Sequence, residues 1–161
     1  MIQEDFLLEM GHDGLTARLK RLSDLFIYQT KEFYKSKKLD IEPNWHMVFL
    51  LLQKHNKLTV TEMAETLRIS HPAMIKLINK MKKSGYISSQ QDKSDLRKFY
   101  LSLSKKAVRE LPKLEMHWKA LSQALKEMMD NDETILKLLG NMENKFIEMD
   151  YMSRAEEKMN K

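Results

Sequence analysis

Leu58–Ala107 reads LTVTEMAETLRISHPAMIKLINKMKKSGYISSQQDKSDLRKFYLSLSKKA, and the changes of local pattern inside it decide the fold. Thr59 and Glu62 stand three apart at the head of an apolar-periodic segment. That spacing predicts a capping box, in which each side chain satisfies an orphan amide at a helix start. The helix covers 60–67, with Met63, Ala64 and Leu67 inward. A tight turn at Arg68-Ile69 follows. Ser70 then caps a second helix, with Pro72 in its first turn where a missing N–H costs nothing. Met74, Leu77, Ile78 and Met81 fall on one face of that helix, and Lys76, Asn79, Lys80 and Lys83 on the other. Gly85 ends it, glycine being the residue that accepts the left-handed turn past a helix.

After Gly85 the period falls from 3.6 to 2. Tyr86–Ser89 and Lys98–Leu103 read as strands; in the second, Phe99, Leu101 and Leu103 share one face, and Tyr100 and Ser102 the other. Gln90–Arg97 is the polar loop between them. Helix, tight turn, helix and two-stranded ribbon is the plan of a winged helix-turn-helix.

The flanks are helical. Upstream, Asp13 or Gly14 opens a helix to about Lys38, striped by Leu15, Leu19, Leu22, Phe26 and Phe33. Pro43 suits the first turn of the next, which carries Trp45, Val48, Phe49 and Leu52 and ends near His55-Asn56. Downstream, Ser104 caps a long helix with Val108, Leu111, Leu114, Trp118, Leu121, Leu125 and Met128 as its stripe; Pro112 should kink it. Asp130-Asn131-Asp132 makes a turn, and 133–159 reads as one last helix with Leu136, Leu139, Met142, Phe146 and Met149 on one side. The fold class is mainly α with a small β-wing. It divides into an N-terminal arm and helix over 1–42, a winged core over 43–104 and C-terminal helices over 105–161. With four Gly and three Pro in 161 residues, long loops are not expected.

Charge is concentrated on the same stretch. Residues 70–106 hold nine Lys or Arg against two Asp, while 1–69 is neutral and 107–161 slightly acidic; the chain as a whole carries +5. Such a local excess is an electrostatic footprint for a polyanion, or a solvated basic face. A helix over 71–84 has the width to enter a major groove with its lysines leading. The ribbon beside it carries Lys93, Arg97 and Lys98, placed for phosphates or a minor groove. The first amides after Ser70 are further candidates for a phosphate oxygen. Lys105 and Lys106 read either as contacts to flanking phosphates or as a solvated helix start.

Other classes fall away. No cysteine is present, which removes disulfides, thiolate ligands and cysteine nucleophiles. His12, His46, His55, His71 and His117 are scattered without acidic clusters, so no metal site is expected. No Ser/His/Asp, HExxH, P-loop or GxGxxG arrangement appears; the expectation is a protein that is not an enzyme and needs no cofactor. No apolar run approaches the roughly 20 residues of a membrane span. Met1–Phe6 has no signal-like character, which makes the cytoplasm the expected location.

The stretch 58–107 resembles the core of the MarR family of bacterial transcription regulators. Leu58, Thr59, Glu62, Ala64, Ser70, Pro72, Leu77, Lys83, Gly85, Asp92, Asp95, Arg97 and Leu103 fit that family's pattern in order and without a gap. It departs at Ala73 and Ile75, where hydroxyl residues are frequent, and at Ser89, Leu96 and Ala107, in place of Arg, Arg and Gly. The flanking helices match in number. The resemblance implies sequence-specific binding of double-stranded DNA. It makes Ser70, His71, Pro72, Ala73, Lys76 and Lys80 candidates on the recognition helix and Lys93, Ser94, Asp95, Arg97 and Lys98 candidates on the wing. It makes Arg97 the minor-groove or phosphate contact and Asp95 the carboxylate that holds it.

It also implies a homodimer reading a pseudo-palindrome with half-sites about 34–36 Å apart. The stripes at 15–33, 111–128 and 136–149 are too extensive for a small winged domain to cover, which points the same way. A repressor released by a small aromatic or phenolic acid is the family's common mode, with Tyr28, Trp45, His46 and Phe49 as local candidates; core packing is the competing use of Trp45 and Phe49. The competing function is a winged helix that docks an acidic protein partner.

Overall fold

The computed structural model describes residues 5–160, which fall into two compact units, one up to Met116 and one from His117. The first opens with a short helix, α1 (Phe6–Glu9), capped by Asp5. The Asp5 carboxylate also pairs with Arg21 at 2.7 Å on the long helix α2 (Leu15–Ser36). Pro43–Trp45 forms a 3-10 turn that runs into α3 (His46–His55), so Pro43 does open the helical segment, but through a tighter first turn.

The stretch 58–107 then folds as its local signals direct, except that the first strand runs on through Gln90 and Gln91, which the sequence pattern places in the loop. Helix α4 (Val60–Leu67) carries the complete capping box: Glu62 N–H donates to Thr59 Oγ1 at 3.2 Å, and Thr59 N–H to Glu62 Oε2 at 2.7 Å. Arg68 makes the turn in the left-handed region, at φ +51°. Helix α5 (His71–Lys83) follows, capped by Ser70. Gly85, at φ +78°, stops it: Gly85 N–H donates to Lys82 O and Tyr86 N–H to Met81 O, both at 2.9 Å. Strands β1 (Ile87–Gln91) and β2 (Phe99–Leu103) pair antiparallel, Ile87 opposite Leu103 and Gln91 opposite Phe99. Leu58 adds a bridge to Leu101, which lashes the approach to α4 onto the sheet.

Burial explains why these elements meet. Val48, Phe49, Leu52, Met63, Met74, Ile78, Met81, Tyr86 and Leu101 are all essentially inaccessible. Trp45 and Phe49 both meet the Tyr86 ring edge-on, at 5.7 and 5.5 Å between centroids. Phe99 is the exception on its strand face: it sits opposite Gln91 at the loop end of the hairpin, half exposed.

Helix α6 (Lys105–Met128) starts in this unit and continues into the second. Its inward stripe includes Leu114 and Trp118 as expected but opens at Ala107, which is buried, and not at Val108, which is 59% exposed. The helix passes through Pro112 without a break. Val108 is the residue whose carbonyl loses its intrahelical partner to that proline, and its exposure lets water take the place.

The second unit holds the rest of α6, a turn with Asp130 and Asn131 in the left-handed region, α7 (Thr134–Glu148) and α8 (Tyr151–Met159). The single last helix expected over 133–159 is thus two. Asp150 breaks it as an N-cap, its carboxylate accepting from the Ser153 amide at 2.9 Å. Arg154 donates to the Lys145 and Met149 carbonyls at the end of α7, so the corner is tied on both sides. No described residue of α7 or α8 is buried, and of α2 only Tyr34 is. No described helix is long and apolar enough to cross a membrane.

Candidate nucleic-acid interface

Helix α5 buries one face and presents the other to solvent. Ser70, His71, Pro72, Ala73, Lys76 and Lys80 all lie on its exposed start or outer side. Lys76 has no ion-pair partner among the described residues, whereas the Lys80 ammonium is held by Glu42 at 2.9 and 3.1 Å. Sequence reading gives no warning of that pair, because the partners are 38 positions apart.

The helix start offers a phosphate less than expected. Pro72 has no N–H, and the Ala73 amide is turned to Ser70 Oγ at 3.4 Å. His71 Nε2 stands 3.5 Å from Thr61 Oγ1 on α4, at the limit of a hydrogen bond.

The hairpin supplies the second set. Its tip is organised by Asp92, which accepts from the Ser94 hydroxyl, the Ser94 amide and the Asp95 amide. Those bonds favour the carboxylate and lower its pKa from the usual 3.8 to about 2. Asp95 in turn accepts from Arg97 Nε at 3.1 Å and from the Arg97 amide at 3.1 Å, which holds its carboxyl below the usual range. The Arg97 side chain is 91% exposed even so. Arg97 is therefore aimed by its base and open at its tip. Lys93 and Lys98 are exposed on the same hairpin, while Ser94 is tied down by Asp92.

Lys106 is not where a phosphate contact would be. Its ammonium donates to Ser84 O at 2.8 Å and lies 4.1 Å from the centroid of the Tyr86 ring. The Tyr86 hydroxyl donates to Glu110 at 2.8 Å; burial and that bond push the phenol well above its ordinary range.

The four effector candidates do not form one site. Trp45 and Phe49 belong to the core around Tyr86, His46 is half-buried beside them in sequence, and Tyr28 is 63% exposed on α2, in a hollow with Ala17, Lys20, Arg21, Asp24 and Leu25. Burial lowers the pKa of His46. Trp45 Nε1 is buried and has no hydrogen-bond partner among the described residues.

The MarR family model matches residues 39–98. No curated protein matches the chain. Among solved structures, reduced AbfR of Staphylococcus epidermidis bound to DNA superposes with a TM-score of 0.65 at 20% identity, over 90% of this chain and 99% of that one. A mutant of Escherichia coli MarR complexed with operator DNA gives 0.70 at 15%, over 86% and 99%. A Staphylococcus aureus MepR–DNA complex gives 0.71 at 15%, over 82% and 97%. The capped helix-turn-helix and the first strand of the wing lie inside the segment that matches the MarR family model, and the chain shares the winged helix-turn-helix fold of these solved structures over most of its length.

Proposed function

We propose that the chain is a sequence-specific double-stranded DNA-binding transcription regulator, acting in the cytoplasm as a homodimeric repressor on a pseudo-palindromic operator. The observation that carries this is an exposed cationic edge shared by a helix and its hairpin: Lys76 on the outer face of α5, and Lys93, Arg97 and Lys98 on the adjoining wing. The helix fits a major groove, and the wing reaches the flanking backbone or minor groove. The DNA complexes of AbfR, MarR and MepR support the reading by likeness of fold.

The dimer rests on apolar exposure. Leu15, Leu19, Leu22, Leu25 and Phe26 on α2, and Leu136, Leu139, Met142 and Phe146 on α7, are all more than a third exposed. Faces of this extent mark association sites. The proposed division of labour is 43–104 for reading DNA and the helices of 1–42 and 105–161 for pairing. A small aromatic or phenolic acid is the proposed effector, and the unpaired indole N–H of Trp45 is the polar group that supports a ligand near the core.

Selection of bound duplexes from a random pool tests the reading: an inverted repeat is expected. Binding to it should fall with salt by about 0.9 in log K per log salt for each phosphate contact. Arg97→Ala should weaken it by about 1–3 kcal/mol. Weak, sequence-blind binding would instead favour docking of an acidic protein on the same basic face.

A further inference from the structure

The turn that ends the recognition helix is fastened to the first turns of α6 by a set of contacts. Lys106 Nζ donates to Ser84 O at 2.8 Å and lies over the Tyr86 ring at 4.1 Å. Ser104 Oγ donates to Gly85 O at 2.6 Å, and Ser104 N–H donates to Tyr86 O at 2.9 Å. Tyr86, 1% exposed, sends its hydroxyl to Glu110 at 2.8 Å. Every residue from Ser84 to Tyr86 is thereby held from outside its own element.

Lys106 differs from the other partners in what it does for α5. The last carbonyls of a helix have no intrahelical donors, and that end carries a partial negative charge. An ammonium on the C-cap carbonyl answers both. The part-buried setting of the bond and the ring face beneath the ammonium make the contact stronger than an exposed one. A flexible lysine stem is also pinned: the Lys106 Cδ lies 3.7 Å from where a Cβ on Gly85 would be. The ammonium is thus taken up by the protein and unavailable to a phosphate.

We propose that Lys106 is a positioning residue for duplex recognition, fixing the C-terminal end of α5 against α6 so that Lys76 and the helix start meet base edges at one pitch. This rests on the DNA-binding reading above. A helix end free to swing still neutralises phosphates, whose attraction is non-directional. It loses base-edge contacts, whose geometry is narrow. Loss of Lys106 should therefore fall on specificity and spare bulk electrostatics, the opposite of what loss of a phosphate-contacting lysine does.

The test measures dissociation constants of the full chain for its selected duplex and for a random duplex across a salt series, with Lys106→Met and Lys106→Arg. Lys106→Met keeps most of the stem and removes the charge. It is expected to weaken the selected duplex about tenfold, the loss of one charge-assisted hydrogen bond, and to leave the random duplex and its salt slope unchanged. Lys106→Arg, which can donate to the same carbonyl over the same ring, should restore the preference. Equal losses on both duplexes, with a salt slope reduced by about 0.9, would show a phosphate contact and overturn the proposal. Unchanged binding to both would overturn it as well.

Amide hydrogen exchange of Ser84, Gly85 and Tyr86 in the free protein separates this from failure of the DNA reading. Faster exchange in Lys106→Met and wild-type rates in Lys106→Arg are expected. Wild-type rates in both variants would overturn the fastening itself, whatever the chain binds. A wild-type chain that prefers no duplex would overturn the DNA reading, with the exchange result still standing for the helix end.

Discussion

The winged core and the helices α2 and α7 use the same apolar periodicity and end in opposite states. In the core, Met74, Leu77, Ile78 and Met81 recur at helical spacing and all four are buried. On α2, Leu15, Leu19, Leu22 and Phe26 recur just as regularly and stay more than a third exposed. The α7 series Leu136, Leu139, Met142 and Phe146 does the same. Periodicity tells which residues seek burial; it carries no information about whether the covering surface belongs to the same chain. The contrast separates a region complete in one chain from regions that the proposed pairing would complete.

The largest effect that tests this contrast is in the core. Phe49 is fully buried against Tyr86, so Phe49→Ala should cost about 3–5 kcal/mol of unfolding free energy by denaturant titration. A loss below about 1 kcal/mol would mean that the core is not the cooperative unit described. The flanking helices should answer differently. Leu22→Glu or Leu139→Glu should weaken self-association by about a hundredfold or more, since each removes an apolar contact from both sides of a two-fold interface. Sedimentation should then show single chains where the wild type shows pairs, with helical content kept. A wild type that remains a single chain at all concentrations would break the comparison.

Two smaller effects sharpen it within the head. Thr59→Ala removes one half of the capping box and should cost about 1 kcal/mol, with α5 and the wing unaffected. The wing tip should respond to pH. Asp92 has a folded pKa lowered to about 2. A carboxyl lowered in this way stabilises the folded form above its unfolded value and loses that contribution as pH falls through its folded value. Proton resonances of Ser94 and Asp95 should therefore titrate with a midpoint near 2 rather than near 3.8. Because the site is exposed, the change should remain local to residues 92–95. A midpoint near the ordinary value would remove Asp92 from the organisation of the tip.

What can be read from residues alone follows from how far each signal reaches. Thr59 with Glu62, Ser70 before Pro72, and Gly85 act on their own neighbours, and each element they bound is legible to within a residue. The Asp95–Arg97 pairing is as local, but it is the family resemblance that implies it, and the role of Asp92 in ordering the tip is not foreseen. Lys80 and Lys106 are not legible: what engages them comes from Glu42 and Ser84, remote in sequence and adjacent only after folding. The break at Asp150 shows a different limit. Its Asp-x-x-Ser cap is present, but Met142, Phe146 and Met149 continue the helical period up to it and mask the stop. Val108 and Ala107 show the reverse: sequence pattern favours the larger apolar side chain as the inward one, while packing selects its small neighbour.

Arg68 holds the corner between α4 and α5 at φ +51°. A side chain in that conformation costs about 1–2 kcal/mol, while glycine forfeits about 0.5–1 kcal/mol through the freedom it has when unfolded. The difference leaves glycine favoured by about 0.5–1 kcal/mol. The corner thus keeps a side chain, and with it a cation, at a small thermodynamic disadvantage, and Arg68→Gly should leave the scaffold at least as stable as it is.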